Sequence, residues 1–123
     1  MDSLELLLDF IKFRKTKSDL QKYFGEDLLN ATCTTPVLIS VNDVINALIE
    51  YETEKVSLNT LVEWVNVIWF TDLFEYTEDE EDSISSVMSV LETLDEDEVT
   101  ITEADIYEMK RCLSLNLEYT GDC

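Results

Sequence analysis

Six carboxylates occupy the eight positions from Glu75 to Asp82, EYTEDEED, and aromatic side chains lead directly into them: Trp69, Phe70, Phe74 and Tyr76. Carboxylates at this density can hold a cation, act as an acid/base pair, or pair with the lysines and arginines of another molecule. A calcium loop of the EF-hand kind needs a central glycine and ligands at alternating positions. The stretch TEDEEDS has neither. A glycosidase pair needs two carboxyl groups at a set separation, and nothing in the pattern selects two out of 28 acids. The chain has no histidine, which removes the usual general base, the usual metal ligand and every triad built on imidazole. Two glycines leave no phosphate-cradling loop. The residues therefore predict no enzyme, no cofactor and no metal.

Binding chemistry is better supplied. Large aromatics beside charges are what interface hot spots are made of, the ring giving buried area and the carboxylate pairing with a base of the partner. The candidate contacts are Glu75, Tyr76, Glu78, Asp79, Glu80, Glu81 and Asp82, with Phe74 and Tyr76 as apolar anchors. The competing reading of Phe70 and Phe74, four apart on a helix, is that both face the core. A second run, Asp95, Glu96, Asp97 and Glu98, falls where a helix should end. Helix C-termini favour cations, so the run is locally unfavourable and is expected to face the partner as well.

The formal charge is −20 and unevenly placed. Residues 1 to 22 carry Lys12, Arg14, Lys15, Lys17 and Lys22 against four acids, a balance of +1, and residues 23 to 123 carry −21. Such a field repels nucleic acid and anionic membranes and attracts basic surfaces. The expected partner is a basic protein domain.

The elements that must position these residues are helical. At 123 residues, with 46% hydrophobic residues and one proline, the chain is expected to be one domain, residues 1 to 123. Leu4, Leu7, Leu8 and Ile11 mark a first helix from Asp2 to about Lys15, with Asp2 and Glu5 as a capping box. Ser18 and Gln21 mark a second, short one ending at Gly25. Ser40 with Asp43 opens a third over about 41 to 53, and Ser57 opens a fourth whose apolar positions run from Leu58 to Phe70, with Trp64 and Trp69 core or contact residues, core being the commoner place for tryptophan on so wide an apolar helix. Asp82 or Ser83 starts a fifth. Thr102 with Asp105 caps a sixth, with Ile101 and Ile106 spaced as a hydrophobic staple. Residues 37–39 and 99–101 are the only β-branched strand candidates. The fold class is all-α, a single compact bundle of about five to six helices. Cys33, Cys112 and Cys123 lack CxxC spacing and read as reduced thiols. No run of about 18 uncharged apolar residues occurs, and MDSLELLLDF carries acids where a secretory signal would carry lysine. A cytoplasmic protein is expected.

From Ser40 to Leu113 the order of segments is VNDVINALIEYETE, the link KVS, LNTLVEWVNVIWF, an acidic break, SISSVMSVLETLDE and VTITEADIYEMKRCL. This order resembles the small acidic immunity proteins of bacteria, in particular those that accompany contact-dependent growth inhibition toxins. The L-x-x-W pattern stands here as Leu61 to Trp64, and the closing T-x-x-D/E-I helix as Thr102 to Ile106. The resemblance implies a helical bundle that binds a toxin domain as a heterodimer and occludes its active site. The toxin is commonly a nuclease, a ribonuclease ahead of a deoxyribonuclease. A nucleic-acid mimic inhibiting a DNA-binding or restriction protein shares the charge but should space its carboxylates along an elongated body. An acidic chaperone should be a homodimer with an exposed apolar surface.

Overall fold

A computed structural model describes residues 3–28, 36–94 and 101–119. Among them six helices surround one core: α1 Ser3–Ile11, α2 Lys17–Phe24, α3 Val41–Glu52, α4 Leu58–Phe70, α5 Glu81–Leu91 and α6 Glu103–Ser114. Two three-residue strands, β1 Val37–Ile39 and β2 Phe74–Tyr76, pair in parallel with Val37 opposite Phe74 and Ile39 opposite Tyr76. The all-α expectation holds. No described helix is long and apolar enough to cross a membrane.

Local chemistry sets most helix starts. Ser40 and Asp43, and Thr102 and Asp105, form reciprocal capping boxes at the expected positions, and Ser57 Oγ accepts the Thr60 amide. Ile101 packs against the core to which Ile106 belongs. At α2 the expected Ser18–Gln21 pair is displaced by Thr16 and Asp19, two residues earlier. The Thr16 amide donates to the Asp19 carboxylate at 2.9 Å, and this bond holds the Asp19 carboxyl below the ordinary aspartate range. Residue Asp2, one half of the box expected at α1, lies outside the described residues.

Helix ends use an unusual device. Helices α1, α3 and α6 all close with the paired 6→1 and 5→2 bonds of a Schellman motif: Arg14 to Asp9 and Phe13 to Phe10, Lys55 to Glu50 and Glu54 to Tyr51, Leu117 to Cys112 and Asn116 to Leu113. The left-handed residue that glycine normally supplies is Phe13, Glu54 or Asn116, with φ of 63°, 62° and 55°. Helix α1 therefore stops at Ile11, four residues before the expected end. Each such residue meets a Cβ clash of about 1–2 kcal/mol that glycine avoids. Exposed Glu54 makes no described side-chain bond. Glu54→Gly should stabilise the fold by up to about 1 kcal/mol, read as a higher urea midpoint at unchanged m-value.

Helix α4 is central, burying Leu61, Val62, Trp64, Val65, Val67 and Ile68. Trp64 is 1% exposed and its indole N–H donates to the Ile11 carbonyl at 3.1 Å. That carbonyl sits in the last turn of α1, where no intrahelical donor remains. Phe13 stacks on Trp64 with ring centroids 5.4 Å apart. One tryptophan thus fixes where α1 ends and which way the chain turns. On α1 itself Leu6, Leu7, Phe10 and Ile11 are buried, while Leu4 and Leu8 face solvent, so the buried face is rotated from the expected Leu4–Leu7–Leu8–Ile11 stripe. Helix α6 packs along α3, and Lys110 pairs with Glu52 across them.

Candidate functional site

The acidic run is built from three kinds of backbone rather than one loop. Glu75 and Tyr76 lie in β2, residues 77–80 form a turn, and Glu81 and Asp82 begin α5. The helix starts at Glu81, ahead of the expected Asp82 or Ser83, and its first turn carries two acids where the macrodipole is positive. Exposed carboxylates are held there without any base: Glu75, Glu78, Asp79, Glu81 and Asp82 are all exposed and none forms an ion pair among the described residues.

Glu80 is different. Its Oε1 accepts the Val41 amide at 3.0 Å, satisfying the first orphan donor of α3. It is half-buried and bound to a helix end, so its work is to join the acidic turn to α3 rather than to meet a partner.

Phe74, expected as an anchor, is 4% exposed and belongs to the core, with its ring 6.1 Å from that of Phe10. The alternation Phe74–Glu75–Tyr76 in a strand turns the phenylalanine inward and the glutamate outward. This corrects the expectation of a surface phenylalanine. On α4 it is Phe70, 51% exposed, that faces out.

Tyr76 is half-buried against Trp69, centroids 5.5 Å apart, and its hydroxyl donates to the Ile68 carbonyl at 3.1 Å. Together with Thr71 Oγ1, which donates to Val67 at 2.6 Å, it satisfies the last turn of α4. The hydroxyl of this expected anchor is thus engaged internally. Burial, and secondarily the charge of Glu81, push the phenol above its ordinary value of 10.0. A raised folded-state pKa stabilises the fold fully below the unfolded value and loses that contribution as pH rises past it. Above about pH 10 the wild-type protein should therefore lose stability more steeply than Tyr76→Phe, and below it the variant should be weaker by about 1 kcal/mol, measured by urea unfolding across pH.

Residues that sequence reasoning missed complete the surface. Asn116 at the end of α6 donates through Nδ2 to the Asp79 carbonyl at 2.7 Å and accepts from Ser83 Oγ at 2.8 Å. The Tyr119 amide donates to Ser86 Oγ at 2.8 Å. Residues 115–119 are thereby strapped along the acidic turn and the start of α5. Leu115 and Leu117, flanking Asn116, are 57% and 49% exposed, and Glu118 is exposed beside them. Their signal was the apolar alternation of LSLNLEY running past the helix end, with Asn116 as a left-handed C-terminal stop.

The second acidic run, Asp95, Glu96, Asp97 and Glu98, lies outside the described residues. Among the described residues no group of three or more His, Cys, Asp or Glu side chains is arranged to hold a metal ion. Compared with protein-family models, with curated proteins and with solved structures, the chain matches none.

Proposed function

We propose that this chain is an immunity-type inhibitor that binds a basic toxin domain, above all a nuclease, as a heterodimer in the cytoplasm and blocks its phosphate-gripping cleft with an acidic surface. The observation that carries the reading is the set of exposed, unpaired carboxylates Glu78, Asp79, Glu81 and Asp82, held by a turn and a helix start beside exposed Leu115 and Leu117. An enzyme that grips phosphates presents lysines and arginines in a concave site, and a rigid acidic projection competes for that site with the substrate. Leucines at its edge add apolar contact that dissociation must undo. The resemblance in segment order to immunity proteins of contact-dependent growth inhibition points the same way.

A nucleic-acid mimic would call for an elongated body. Folded monomers of 14.2 kDa expose about 6,800 Å², and this chain exposes 7265 Å². That near-globular surface favours a plug over a duplex imitation.

The test is coexpression with the C-terminal domain encoded by the adjacent upstream reading frame. The expected result is growth arrest by that domain alone, rescue by this chain, and a 1:1 complex in gel filtration. A domain that arrests growth despite the chain, with no complex formed, would overturn the reading.

A further inference from the structure

We propose that the pocket between the α1–α2 turn and the α3–α4 turn binds a compact phosphate-bearing anion. Lys15 and Lys17 line it from the first turn and Lys55 from the second, around a space of ≈ 250 Å³. Thr16, Ser57 and Thr60 also line it, their hydroxyls engaged in the caps of α2 and α4. Phe13 and Trp64, stacked on one another, form its apolar side.

Three of the eight bases of a chain with net charge −20 line this pocket, Lys17 lining two neighbouring ones as well. Placing like charges together costs free energy unless something negative sits among them. Among the described residues no carboxylate forms an ion pair with Lys15, Lys17 or Lys55, whereas Arg14, Lys110 and Arg111 each have an acidic partner. One acid, Glu63, lines the pocket and a second, Asp19, is held on Thr16 within reach of the charge of Lys15, so three bases face two acids and one positive charge is left over. Thr16 and Ser57 are the N-caps of α2 and α4; at α2 the Asp19 carboxylate already accepts the Thr16 amide, so it is α4, with no acid in its first turn, that turns an uncompensated positive end to this space.

Multivalency of the ligand follows from the donors. Ammonium groups on flexible stems act as point charges without a preferred fork, and several of them around one space are best neutralised by an oxyanion of more than one charge. A space of ≈ 250 Å³ takes a compact anion rather than a long polyanion. Size and charge therefore select a small phosphate compound. The site is separate from the acidic turn: Glu80 holds the first residue of α3, and Lys55 follows its last turn, about 18 Å away along a helix of 12 residues.

The experiment is a ¹H–¹⁵N NMR titration of the full chain with sodium pyrophosphate, against sodium chloride at matched ionic strength. Saturable shifts confined to the amides of 15–17 and 55–57 are expected with pyrophosphate and not with chloride. Lys15→Gln combined with Lys55→Gln should weaken binding about tenfold or more. Where that pair perturbs the fold, Lys55→Gln alone, in an exposed turn, should weaken it about threefold or more. Shifts that follow ionic strength equally in both salts, or an affinity untouched by a folded variant, would overturn the site.

Discussion

Neutralising Glu78, Asp79, Glu81 and Asp82 together, as glutamine and asparagine, should slow association with the proposed basic partner about tenfold or more at about 50 mM salt and leave dissociation nearly unchanged. These side chains are exposed, so they act through the field that steers encounter, not through buried pairs. Raising salt to about 500 mM shortens the screening length from roughly 14 to 4 Å and should bring the variant and the parent together. Glu80 is left intact in this variant because its bond to the Val41 amide belongs to the fold. Leucine truncations give the complementary result, with Leu115→Ala and Leu117→Ala raising the dissociation rate and leaving association alone. Stopped-flow binding separates the two. If a folded quadruple variant associates at the parental rate at low salt, the acidic turn is only a solvated edge.

Trp64→Ala should cost about 3–5 kcal/mol of folding stability. The side chain is 1% exposed at the middle of the central helix, and its removal opens a cavity under Phe13 and strands the Ile11 carbonyl. Trp64→Phe divides the effect: the ring still fills much of the space, and what remains lost is chiefly the indole hydrogen bond, about 1–3 kcal/mol when its acceptor is left buried. Urea unfolding followed by far-ultraviolet circular dichroism measures both. An alanine variant within about 1 kcal/mol of the parent would contradict this account of how α1 is anchored.

What could be read in advance was whatever is decided within a few residues. Ser40 with Asp43 and Thr102 with Asp105 announce helix starts because cap and amide are three apart, and the apolar period of Leu61 to Ile68 announces a buried helix. Even there a competitor can stand close, as Thr16 with Asp19 displaced Ser18 with Gln21. Features that depend on distant chain were hidden. Strand β2 exists because β1, 37 positions earlier, offers its edge, and its three residues look in sequence like the tail of an aromatic cluster. Phe74 could be assigned to the core only once that pairing was known. Glu80 is one of six acids in the run, and its distinct task depends on an amide 39 positions away. Leu115 and Leu117 join the acidic turn only through Asn116, whose bond to Asp79 spans 37 positions.

The small parallel sheet also orders events in time. Its partners are separated by the whole of α3 and α4, so pairing them first would mean closing a long, floppy loop for a few hydrogen bonds. Once the two helices have formed and packed, that loop has become a short rigid hairpin and its ends are delivered to one another. The strands should therefore zip after the helices dock, and the acidic turn, which begins where β2 ends, should take its final shape with them.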